Sequence, residues 1–175
     1  MQNPKANDAI YNSWHLFMML LRCEKVMIDL IIINQSYSSS DYDQKLLYSI
    51  FEKERPIYYK KMFSAIIDDF AIEFNINEDI KKELIDLWNL RNTLWHSKPS
   101  LNNFNIYITP ENNKLKMYLR EKYITIHWKE NSSWTYSIKL WDWDVYDYYF
   151  KEINKFDWLF KEIAWRFKIN YNWIQ

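Results

Sequence analysis

Glycine is absent from all 175 residues. Its absence excludes the phosphate-cradling loops of ordinary nucleotide-binding motifs, which need glycine for close backbone approach. Turns must then rely on Asn, Asp, Ser and Pro, with Asn the usual substitute where a left-handed residue is required. Cysteine occurs once, at Cys23 inside an apolar stretch. No disulfide framework is possible with one thiol, a reducing compartment fits, and Cys23 reads as a small buried hydrophobe. No zinc-ligand spacing is found. An excess of one charge is missing too, because Lys plus Arg number 23 and Asp plus Glu number 23. A protein that grips long nucleic acid through many phosphates generally carries a basic excess. Balance therefore disfavours a dedicated nucleic-acid-binding module, while a nuclease with a locally basic cleft remains compatible. Uninterrupted apolar runs are also lacking: Arg22, Glu24, Lys25 and Asp29 break the stretch from Leu16 to Ile33, which reads as a buried helix rather than a membrane span. The amino terminus, Met1 to Lys5, shows no secretory pattern, and a cytoplasmic location is expected.

What is present is an ordinary globular balance, 49% apolar and 26% charged, with an unusual 19% of aromatic residues that includes ten Trp. These large rings promise a core of flat side chains and, where exposed, surfaces for a base or a partner. The length suits one domain over residues 1–175.

Apolar periodicity predicts helices over about residues 7–33, 42–54, 57–74, 78–97 and 142–168. In the first, Ile10, Trp14, Phe17, Leu21, Ile28 and Ile31 mark one face, and further apolar residues widen it almost all round. Such a helix is central. Glu24 and Asp29 lie among apolar three-four neighbours, so both are candidates to be buried and paired, with a carboxylate that merely snorkels or meets Lys25 as the plainer alternative. Pro56 should end the second helix or open the third, whose inner face reads Tyr59, Met62, Phe63, Ile66, Phe70 and Phe74. Asp68 and Asp69 on its flank read as a solvated face. Between Pro99 and the last helix, residues 104–140 alternate in short runs separated by turn residues, which predicts a small antiparallel β-meander lying against the helices. Its Tyr107, Tyr118, Tyr123, Trp128, Trp134 and Tyr136 read as cover for helices or an interface, with a base-stacking platform as the alternative. Val145, Tyr149, Ile153, Phe156, Leu159, Phe160, Ile163 and Phe167 mark the last helix.

The fourth segment carries the chemistry. Ile80, Leu84, Leu87, Trp88, Leu94 and Trp95 recur at helical spacing, and Arg91 falls in phase with the leucines, where a buried arginine needs an anionic partner such as Glu24 or Asp29. Asn92 and His96 are four residues apart and share a face. Arg91 and His96 lie roughly 140° apart around the axis and about 7.5 Å along it. One ideal helix cannot aim both at one atom. Either the helix deforms before Pro99, or two copies meet so that each supplies part of a site.

Arginine, a polar residue, three largely apolar residues and histidine, late on a helix in a small helical domain, resemble the motif of the HEPN ribonucleases; here it is Arg91, Asn92, Thr93, Leu94, Trp95 and His96. The resemblance implies a mainly α fold, a four- or five-helix bundle, with the β-meander inserted before the last helix. It further implies a homodimer in which two motifs form one metal-independent RNA-cutting cleft without cofactor, and a toxin or phage-defence role with a possible neutralising antitoxin or regulatory partner. Arg91, Asn92 and His96 are the expected catalytic residues. Histidine titrates near neutrality and can move the proton of a ribose 2′-hydroxyl, while arginine offers a permanent fork for phosphate. Glu24, Asp29 and Lys98 are expected in support; Lys98 stands where some relatives carry a tyrosine, so regulation through that tyrosine is not expected. His15 and His127 read as packing or surface histidines. The alternative is a non-catalytic dimerisation or partner-binding module of the same fold.

Overall fold

The computed structural model describes residues 4–36, 44–95, 98–99, 106–108, 124–128 and 134–174. Among them the chain is mainly helical. Its helices are α1 (Pro4–Ser36), α2 (Gln44–Tyr58), α3 (Phe63–Phe74), α4 (Glu78–Trp95) and α5 (Trp143–Arg166), followed by a 3-10 turn at Tyr171–Trp173. Short strands lie between α4 and α5: β1 (Lys98–Pro99), β2 (Ile106–Ile108), β3 (Ile124–Trp128) and β4 (Trp134–Ile138). The chain divides into two compact units, residues 1–20 with 86–153, and residues 21–85 with 154–175. No helix among the described residues is long and apolar enough to cross a membrane.

The second unit is built on α1 from Val26 to Ile33, where every side chain is buried. Against this segment's unit pack Leu47 and Phe51 of α2, Ile66, Phe70 and Phe74 of α3, and Phe156, Phe160 and Ile163 of α5, all buried. Phe70 meets Phe160 edge-on at 5.9 Å, and Phe74 meets Phe167 edge-on at 4.9 Å, the arrangement that ring quadrupoles favour. Asp29 sits inside the buried run with no exposed surface. Arg55 grips it with two bonds, Nε to Oδ1 at 2.7 Å and Nη2 to Oδ2 at 2.8 Å, and Lys25 Nζ adds a third at 2.9 Å. Lys25 also donates to the Ile174 carbonyl at 2.7 Å, which ties the end of the chain to α1. Of the two carboxylates it is Asp29 that meets Lys25, and Arg55 adds a fork that spacing did not point to. Asp68 and Asp69 take Lys81 and Lys61 as partners on the surface.

Two helix boundaries depart from expectation. Pro56 lies inside α2, and the break falls after Tyr58, so α3 starts at Phe63 with Met62 extended before it. Pro56 falls in the last turn of α2, where its missing N–H and its ring cost the Glu52 carbonyl its helical partner, and the helix stops two residues later. Tyr59 and Met62, expected on an inner face, are exposed in the connection. At the far end of α3, Asn75 takes the left-handed conformation with φ 51° and its N–H caps the helix, as expected of a chain without glycine. Lys168 does the same after α5 with φ 56°, at a position that nothing in its type announced.

The first unit holds the start of α1, α4 from Asp86, the strands and the start of α5. Its buried residues are Ala9, Asn12, Leu16 and Phe17 of α1, Leu87, Asn89, Leu90 and Leu94 of α4, and Ile138, Leu140, Val145, Tyr149 and Ile153. Asn12 Nδ2 donates to the Leu140 carbonyl at 2.6 Å. That bond turns α1 so that Ile10 and Trp14, expected inside, are exposed.

The expected β-meander is overturned. In a meander each strand pairs with the next in sequence, whereas among the described residues the order is β1-β2-β4-β3, all antiparallel, and β4 lies between β2 and β3. The register supplies a reason. It aligns Ile106, Ile138 and Ile124 in one row and Ile108, Tyr136 and Ile126 in another, separated by Tyr107, Ser137 and Thr125. Apolar residues thus fill alternate rows, and a one-residue slip would scramble them. Pro99 sits on the edge strand, where its missing N–H does least harm. The hairpin partner expected at residues 114–119 lies outside the described residues, as do Tyr118 and Tyr123.

Two outcomes follow for the second unit. Arg55→Met leaves a buried carboxylate with Lys25 alone and lowers unfolding free energy by about 3 kcal/mol, the low end for a broken buried pair; replacing Asp29 by Leu in the same chain recovers part of the loss, read from urea melts. Burial pushes the Cys23 thiol from the ordinary 9.0 up to about 12. The unfolded thiol loses its proton above 9 and the folded one keeps it, so stability falls as pH rises between these values. Cys23→Ala flattens that slope, and alkylation of the native thiol at pH 9 is slow until the chain is unfolded.

Candidate active site

Helix α4 begins with its own cap. Asn77 Oδ1 accepts from the Ile80 N–H at 2.9 Å, and Glu78 and Asp79 occupy the first turn, where the helix dipole favours negative charge. Within the first unit the helix buries Leu87, Leu90 and Leu94 at three-four spacing, with Asn89 buried beside them. Arg91 and Asn92 follow this face as half-buried residues near the helix end.

The two are in contact. Arg91 Nη1 donates to Asn92 Oδ1 at 3.2 Å. Sequence neighbours on a helix point about 100° apart, so the long arginine side chain must curl round the axis to reach the amide. Asn92 stands four residues before His96. The bond therefore draws the guanidinium off the leucine face and toward Asn92. It also commits the amide oxygen, leaving the Asn92 NH2 group, a donor, as the end available to a phosphate oxygen or an imidazole nitrogen.

The remaining expected residues are placed as follows. Helix α4 ends at Trp95, and His96 lies outside the described residues. Lys98 belongs to β1, where its backbone pairs in register with Tyr107. Glu24 is half-buried on α1 and belongs to the second unit, as does Asp29, whose carboxylate is held by Arg55 and Lys25. His127 lies in β3 opposite Thr135.

One polar cluster in the first unit escaped the sequence reading. His15 Nδ1 lies 2.5 Å from the Tyr146 hydroxyl. Tyr11 stacks on one side of the imidazole at 6.1 Å between centroids, and Tyr146 stacks at 6.0 Å. Burial raises the Tyr146 phenol above its ordinary 10.0, with Tyr11 and Asp147 adding to it, so the phenol keeps its proton at neutral pH. The two groups share one hydrogen bond, whose direction follows the imidazole tautomer. The only local signal was Tyr11 four residues before His15; Tyr146 is 131 residues away in sequence. The pair ties α1 to α5 within the unit. Tyr146→Phe removes the hydroxyl partner and costs about 1–2 kcal/mol, and the His15 Nδ1 nitrogen resonance moves at constant pH; an unchanged resonance would dismiss the bond.

Compared with known proteins, the chain matches no family model, no curated protein and no solved structure.

Proposed function

We propose that this chain is a metal-independent endoribonuclease that works as a homodimer, with Arg91, Asn92 and His96 as its catalytic residues. The contact between the Arg91 guanidinium and the Asn92 amide supports the reading, because it brings a fixed positive charge and a hydrogen-bond donor together at the start of the motif that His96 completes in sequence. In this reaction the ribose 2′-hydroxyl attacks phosphorus as a base removes its proton. The bond to the 5′-oxygen breaks, and that oxygen receives a proton. His96 of one copy takes the first proton, and His96 of the other copy, or water, returns one to the leaving group. Arg91 neutralises the charge that builds on the phosphate oxygens. The products are a 2′,3′-cyclic phosphate and a 5′-hydroxyl. A cytoplasmic toxin or phage-defence nuclease restrained by a neutralising partner is the setting that suits such an activity.

A non-catalytic partner-binding module is the second reading. Exposed Trp14, Trp95, Trp143, Trp158 and Trp165 favour it, because surfaces rich in tryptophan are made for contact.

Purified protein incubated with total RNA in excess chelator separates the two. The parent cleaves and leaves cyclic phosphate ends, while His96→Ala lowers the rate by about 10²–10⁴-fold and Arg91→Ala abolishes detectable cutting. Identical RNA profiles from parent and both variants leave the binding module as the better reading.

A further inference from the structure

The register of the sheet sorts its residues onto two faces, because directly paired residues share a face and successive residues alternate. Pro99, Ile106, Ile124 and Ile138 fall on one face, and the alternation puts Trp128, Trp134 and Tyr136 on it too. Ile138 is fully buried, so this is the covered face. The other face takes Lys98, Tyr107, Ser137 and Thr125 in a single row across all four strands, with Thr135 and His127 in its next row. Lys139 directly follows β4, two residues after Ser137, and is exposed where Ile138 is not. Of the aromatic residues offered as cover or as a stacking platform, Trp128, Trp134 and Tyr136 therefore go with the cover, and Tyr107 goes with the polar face.

Charge identifies the occupant. Lys98, His127 and Lys139 belong to the polar face, whereas none of the described strand residues is Asp or Glu, in a chain whose basic and acidic residues are equal at 23 each. Elsewhere exposed lysines stand beside acids, as Lys61 does with Asp69 and Lys151 with Asp147. A face that met only water would need no such selection. Basic residues set among hydroxyls match a ligand with repeated negative charge and oxygen acceptors, which is the chemistry of a phosphodiester chain. The row from Lys98 to Thr125 crosses three inter-strand steps, about 14 Å in all, so it suits several linked phosphates rather than one. Tyr107 adds an aromatic residue to the row, on which an unpaired base stacks and a base inside a duplex cannot. An acidic peptide would answer the charge and leave the ring without a partner.

We propose that the polar face of the sheet binds single-stranded RNA through its phosphates. The choice of RNA rests on the nuclease reading: β1 begins two residues after His96, so the row starts where the motif ends in sequence. RNA held along it extends the contact with substrate beyond the phosphate that is cut, and the sheet selects open strands over duplex.

Fluorescence anisotropy of the full chain with a labelled 2′-O-methyl oligouridine tests the face, since this probe lacks the free hydroxyl that cutting needs, and cleavage of ordinary RNA is scored separately. The parent binds the single strand several-fold more tightly than a duplex of the same chemistry. Lys139→Ala weakens binding several-fold and lowers the slope of log affinity against log salt by about 0.7, the loss of one phosphate contact. Thr125→Val keeps the side-chain shape and removes a hydroxyl, so it weakens binding with the slope unchanged. Lys53→Ala, at an exposed lysine of the second unit, retains the parent's affinity and slope. A parent that does not bind the probe, a Lys139→Ala variant with the parent's affinity and slope, or a duplex bound as tightly overturns the face. So does polyglutamate that displaces the probe as well as unlabelled RNA does, which would make the face a surface for acidic protein. Binding that depends on Lys139 in a protein that cuts no RNA upholds the face and removes the nuclease. Cutting with the same KM in Lys139→Ala as in the parent keeps the nuclease and overturns the face.

Discussion

A carboxylate with no exposed surface, set in the middle of eight consecutive buried positions, is the constraint on which the second unit depends. Asp29 cannot keep its charge in an apolar interior without compensation, since burying a lone carboxylate costs far more than any single contact returns. Arg55 supplies a planar fork and Lys25 a third donor, so both carboxylate oxygens are satisfied. These bonds fix α2 against α1 at one register, and through the Ile174 carbonyl they reach the end of the chain. An aliphatic residue at position 29 would pack as well, but would accept many registers. The phenylalanines of α3 and α5 then fill the space around that alignment with edge-on contacts.

In the first unit a short polar contact has a comparable effect. Asn12 is buried so that its amide can reach the Leu140 carbonyl. With Ala9 and Leu16 it forms the inward line of α1, and the larger Ile10 and Trp14 are left outside. Small and amide side chains allow close approach and a hydrogen bond that a tryptophan at the same point would block. The apolar outer face of α1 is a direct product of this choice. His15, on the flank between the two faces, is fixed by the Tyr146 hydroxyl and by stacked rings rather than by a charge.

The candidate site illustrates how side-chain length modifies helix geometry. Backbone spacing alone sets Arg91 on the leucine face, about 100° from Asn92. A guanidinium on a flexible stem can cross that angle, and the amide of Asn92 gives it a place to stop. The guanidinium presents several donors at once, and one of them is taken by the Asn92 amide. Its location at the end of α4 leaves these groups at the margin of the buried face rather than within it.

The sequence by itself determined the elements whose signal is local. The helix of residues 143–166 was legible from Val145, Tyr149, Ile153, Phe156, Phe160 and Ile163, which all prove buried, and the end of α3 from an Asn where a left-handed residue was needed. The mainly helical class followed from the same periodicity. Local pattern could not choose between two apolar faces on α1, since both repeat every three to four residues and only the acceptor at Leu140 favours one. Nor could it find Arg55 for Asp29 or Tyr146 for His15, partners 26 and 131 residues away. The strand order was likewise decided in three dimensions, where β4 pairs with both β2 and β3 and aligns Ile106, Ile138 and Ile124 in one row.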